Sequence, residues 1–160
     1  MKLKPREQES ILAAANIVSM ARTAVEHDYR GDVIDAHAPE APTRLAKQLN
    51  QLFRGAVAVG IPRDDALRLV IRCARDSMPP IRLAIVKDLA AHPHSTPTDV
   101  QRRLGKPRAT IDRQLQALHT LEVVTLDEVD VPTGPFGGKP QTLWYYTLSD
   151  DIDPSVLDPP

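Results

Sequence analysis

The chain holds a single cysteine and few aromatic residues, and its charges nearly cancel. The lone thiol, Cys73, excludes an internal disulfide and fits a reducing, cytoplasmic setting. A formal net charge of −1 excludes an overall basic field, so any affinity for nucleic acid has to come from a local patch. Long apolar runs are missing. None approaches the roughly 20 residues a bilayer span needs, so no membrane association is expected. The start, Met1-Lys2-Leu3-Lys4-Pro5, turns polar at Arg6-Glu7-Gln8-Glu9 before a signal peptide's apolar region can develop. What is present is 42% apolar residues in 160, enough for a core in one domain or in two small ones.

Apolar spacing divides the first half into helices. Ile11, Leu12, Ala15, Val18 and Ala21 keep one stripe over about Pro5 to Ala24, with Pro5 at a first helical position. His27-Asp28-Tyr29-Arg30-Gly31-Asp32 is rich in turn formers and sits between Val25 and Val33-Ile34, which predicts a small hairpin. Thr43 opens a second helix with Leu45, Leu49, Leu52, Phe53, Ala56 and Val57 turned inward and Gly60 as its stop. A third helix covers about Arg63 to Asp76 and buries Leu67, Val70, Ile71 and Ala74. Ser77-Met78-Pro79-Pro80 then predicts a boundary between a helical module, residues 1–79, and a second unit, residues 80–149.

The second unit opens with a short helix containing Ile81, Leu83, Ala84, Val86 and Leu89. Thr96-Pro97-Thr98-Asp99 supplies an N-cap, a first-turn proline and a first-turn acid, and Gly105 ends that helix. A third begins near Arg108, with Ile111, Leu115 and Leu118 on its buried side. Val123–Val131 and Leu143–Leu148 read as paired strands around Pro132–Gln141, a loop of glycines and prolines with Lys139. Helix, helix, helix, strand, loop, strand is the order of a winged helix-turn-helix. The fold expected is therefore mainly α with a small β-wing. The last segment, 150–160, is acidic and proline-punctuated and reads as a disordered tail.

With Ile111, Leu115 and Leu118 inward, helical rotation turns Ala109, Thr110, Arg113, Gln116 and Ala117 outward. Arginine and glutamine can make bidentate contacts with guanine and adenine edges, which makes Arg113, Gln116 and Thr110 base-edge candidates. Lys106 and Arg108 stand at the helix entry, where cations meet phosphate; Arg102 and Arg103 extend the patch, and Lys139 is the wing contact. From Thr96 to Leu118 five cations face two acids, Asp99 and Asp112. The same fold also serves as a protein-interaction module. Asp112 four residues after Arg108 equally supports the helix itself, and Asp127, Glu128 and Asp130 in the first strand would repel a phosphate backbone they faced. Trp144 and Tyr146 share a strand face and are expected in the core.

Catalysis finds no support. His92 and His94 lack a third ligand at metal spacing, Asp64-Asp65 suits a helix start, and Gly137-Gly138-Lys139 is too close to Gly134 for a phosphate loop, with Pro140 in place of the hydroxyl residue. No catalytic residue, cofactor or metal is expected.

Pro42-Thr43-Arg44-Leu45-Ala46-Lys47-Gln48-Leu49, Arg54-Gly55-Ala56-Val57-Ala58 and Arg75-Asp76-Ser77-Met78-Pro79-Pro80-Ile81-Arg82 resemble the helical lid and following segment of actinobacterial or phage AAA+-type ATPases. In that family the lid is often followed by a winged helix. The resemblance matches Arg44 to the lid arginine that senses the nucleotide phosphate. No Walker A loop or Walker B strand is present, so the chain is not expected to hydrolyse ATP by itself. It reads as the C-terminal part of such an ATPase or as a relative without the motor; without a motor, Arg44 is a surface or interdomain charge. The leading expectation is a non-enzymatic protein that binds double-stranded DNA, with transcription regulation as its natural role and a homodimer through the N-terminal helices compatible with it. A protein-interaction adaptor is the alternative of another class.

Overall fold

The structure, a computed structural model, describes residues 1–159. It is mainly helical, with two small antiparallel sheets. Helix α1 (Pro5–Ala21) begins on a proline that has no N–H to leave unpaired. In its first turn the Glu7 carboxylate accepts from the Lys4 amide at 2.7 Å. Glu7 also takes both arms of Arg63, at 2.8 and 2.5 Å, which fastens α1 to α3 (Arg63–Asp76). The Arg63 hydrogen bond holds the Glu7 carboxyl below the usual carboxylate range. Helix α2 (Pro42–Ala58) packs on both, and the three surround Ile11, Val18, Leu49, Phe53, Val70 and Ile71.

The expected small hairpin is present between α1 and α2. Strand β1 (Val25–His27) pairs with β2 (Val33–Ala36), with a register shift between Glu26 and His27. Asp28 builds the turn: its carboxylate accepts from the amides of Arg30 and Asp32, at 2.8 and 2.9 Å. Gly31 takes a φ of +88° that a side chain would strain.

The second half is ordered α4 (Pro80–Ala91), α5 (Pro97–Leu104), α6 (Arg108–Thr120), β3 (Val124–Val131), β4 (Gln141–Leu148). The two strands pair without interruption from Val124↔Leu148 to Val131↔Gln141. Ser95, between α4 and α5, adds a bridge to Tyr146 through hydrogen bonds of 3.1 and 2.8 Å. Tyr146 is buried, and its hydroxyl is pushed up to about 12 by burial, with Asp112 and Glu128 adding to the shift.

Buried residues of both halves belong to one contiguous cluster. Arg82 of α4 crosses between them. Its buried guanidinium donates to the carbonyls of Ala21 and Thr23, at 2.9 and 2.7 Å, and to Gln114 Oε1 of α6 at 2.9 Å. Burial pulls it below the usual arginine range.

Several expectations need correction. The tail read as disordered folds back: Pro154–Leu157 form a 3₁₀ turn against α1, α3 and α4, and Leu157 and Ile152 are buried. Two apolar side chains among polar neighbours drive this, which composition alone hid. Pro160 lies outside the described residues. Leu12 and Leu52, placed inward by periodicity, are exposed because they sit at the edges of their stripes. Among the described residues no helix is long and apolar enough to cross a membrane.

Candidate nucleic-acid interface

The α5–α6 corner is built by local chemistry. Thr96 and Asp99 cap α5 reciprocally: Thr96 N–H donates to Asp99 Oδ2 at 3.0 Å and Asp99 N–H to Thr96 Oγ1 at 3.2 Å. The hydrogen bonds from Thr96 hold the Asp99 carboxyl below its ordinary range. Gly105 ends α5 in the left-handed conformation, φ +64°, and Pro107 precedes the first residue of α6. Ile111, Leu115 and Leu118 are fully buried, as their spacing predicts.

The eight sequence-selected residues have different surroundings. Arg102 and Lys106 stand exposed at the corner with no ion pair or hydrogen bond among the described residues. Arg108 joins them, but its guanidinium donates to Asp112 at 3.0 and 3.1 Å and to Thr98 Oγ1 at 2.6 Å. Thr110 is half-buried on the first turn. Arg103 turns away from the corner, gripping Asp88 of α4 at 2.8 and 2.7 Å and Ser95 Oγ at 2.8 Å. The hydrogen bond to that nearly buried carboxylate raises its pKa. It is a fastener between α4 and α5. Lys139 is exposed at the far tip of β3–β4, about 26 Å of strand from the sheet's base. Beside it, Phe136 is 99% exposed.

Arg113 and Gln116 meet the β1–β2 hairpin, Gln116 half-buried and Arg113 still exposed. The β1–β2 hairpin lies against α6 there. Val33 N–H donates to Gln116 Oε1 at 3.3 Å, and the Arg113 guanidinium rests on Gly31 so closely that a Cβ would come within 2.8 Å of Nη2. Ala117, also expected outside, is buried. Helical rotation from the core residues alone cannot reveal that a segment some 80 positions earlier packs against this face.

The strand pair has two unlike faces. Glu128 lies directly opposite Trp144, and Asp130 opposite Thr142, whose hydroxyl donates to it at 2.6 Å. Trp144, expected in the core with Tyr146, is instead 44% exposed and lines a groove of about 330 Å³ with Thr96, Thr98, Arg108 and Thr142. It lies two residues beyond the reach of the helices that cover Tyr146. On the other face His94 stacks on Tyr145 at 4.2 Å and points Nε2 at Asp127. No group of three or more metal-ligating side chains occurs among the described residues. Arg44, on the first turn of α2, is exposed beside Glu40.

Comparison with family models, with curated proteins and with solved structures finds no match.

Proposed function

We propose that residues 80–149 are a winged helix-turn-helix that binds double-stranded DNA, with α6 presented to the duplex and β3–β4 as the wing. The observation that carries the reading is the α5–α6 corner, where Arg102, Lys106 and Arg108 converge on a glycine-terminated turn that opens a helix. Cations at such an entry position a phosphate backbone, and the first turn of α6, with Thr110, follows it toward base edges. Regulation of transcription is the role this suits. The helices α1–α3 would hold two copies together on half-sites about one or two turns apart.

A salt titration on a short labelled duplex tests this. With about four phosphate contacts, log affinity should fall with log salt at a slope near −3.6, so that affinity drops roughly 100-fold between 50 and 200 mM. Lys106→Ala should reduce that slope by about one. Absence of binding at the lower salt overturns the reading. A protein-interaction adaptor is the second reading, favoured by Glu128 and Asp130 on the same strand face as the half-exposed Trp144, since carboxylates there oppose a phosphate backbone.

A further inference from the structure

We infer that the β1–β2 hairpin is an intramolecular competitor for the duplex, occupying the α6 face that DNA would otherwise take; this rests on the DNA-binding reading above. Three observations carry it. The hairpin's backbone uses the hydrogen-bonding group of Gln116 that would accept from an adenine edge, through the 3.3 Å bond from Val33 N–H. Its turn lies under the Arg113 guanidinium, where Gly31 alone permits the approach. And its charge is that of a nucleic acid: from Val25 to Ala36 four carboxylates, Glu26, Asp28, Asp32 and Asp35, face a single arginine, Arg30. Arg30 is itself engaged with Tyr29, donating to the phenolic oxygen at 2.9 Å.

The attachment is slight. The hairpin is two short strands with a register shift, it leaves Ile34 and Tyr29 largely exposed, and none of its residues is among the fully buried. Its hold on α6 is therefore replaceable by a ligand that offers Arg113 and Gln116 better partners. DNA, with phosphates for one and base edges for the other, is such a ligand.

The test compares the wild-type chain with one in which Glu26–Ile34 are replaced by a Gly/Ser linker of equal length. Duplex affinity is read by anisotropy at several salt concentrations, each with and without Arg113→Ala. The expected result is tighter binding by the linker chain. Arg113→Ala should cost the wild type less affinity than the linker chain, because in the wild type it also loosens the hairpin, and it should lower the salt slope of the linker chain by about one. A second variant, Asp28→Asn with Asp32→Asn and Asp35→Asn, preserves the turn because asparagine accepts the same backbone hydrogen bonds. It should bind more tightly than Asp64→Asn with Asp65→Asn and Asp76→Asn, which carries the same net charge on α3. If Arg113→Ala weakens the wild type as much as the linker chain, or if the two asparagine variants bind alike, the hairpin does not compete. In either case binding that still depends on Lys106 leaves the DNA reading standing. Absence of salt-dependent binding in every variant overturns both.

Discussion

The molecule carries two antiparallel hairpins, and both touch α6. The β3–β4 pair runs eight residues a side in unbroken register and is nailed down by Val124, Tyr146 and the bridge from Ser95. The β1–β2 pair has strands of three and four residues, slips register once, and meets α6 through a long hydrogen bond and a guanidinium over a glycine. One hairpin completes the core. The other adds to its edge only the half-buried Val25 and Ala36. The lesson is that proximity to the same helix implies nothing about energetic weight: an isolated two-stranded ribbon is marginal in water unless its side chains are buried by something else.

The comparison can be broken most severely at Tyr146. Tyr146→Ala removes a buried ring under β3–β4 and should cost about 3–5 kcal/mol in a denaturant titration. A loss below about 1 kcal/mol would mean the longer hairpin is no better anchored than the shorter. Next in size, Thr96→Ala deletes the cap of α5, beside the Ser95 bridge to β4, and should cost about 1 kcal/mol. The same corner has a pH signature. Because Asp99 titrates lower folded than unfolded, its contribution is present above the unfolded value near 3.8 and is lost as pH falls through the folded one. Asp99→Asn should accordingly flatten the acid limb of stability against pH. The smallest effect belongs to β1–β2: Gln116→Ala removes the acceptor of the Val33 N–H and should change global stability by less than about 0.5 kcal/mol. Amide exchange in Val25–Ala36 should nonetheless quicken; protection equal to wild type would show the hairpin held by more than this bond.

Local chemistry was readable in the sequence. Pro5, Pro97, Thr96 and Gly105 announced helix ends that depend only on neighbours a few residues away, and Ile111, Leu115 and Leu118 announced the buried side of α6. Contacts between distant segments were not readable. Nothing near Arg103 in the chain says that Asp88 will claim it, and nothing near Gln116 says that Val33 will. The candidate site was thus legible as a set of residues, and only partly as a surface. Its corner, Arg102, Lys106 and Arg108, stands open. Its middle is shared with the hairpin: Gln116 is half-buried beside it, and Arg113, though exposed, rests its guanidinium on Gly31. Trp144 erred the other way, because strand alternation gives a face without saying where the covering helices stop.

Arg82 bears on how the two halves can be taken apart. Among the described residues its guanidinium has no carboxylate partner; it is solvated by carbonyl oxygens at the end of α1 and by an amide of α6. Separating the halves at Pro79-Pro80 would leave a charge on one side and two carbonyls on the other seeking water at once, with Gln114 alone still holding the guanidinium. Such a joint makes melting a shared event: neither half can loosen without stranding the other's polar groups, so heat should take both in a single transition.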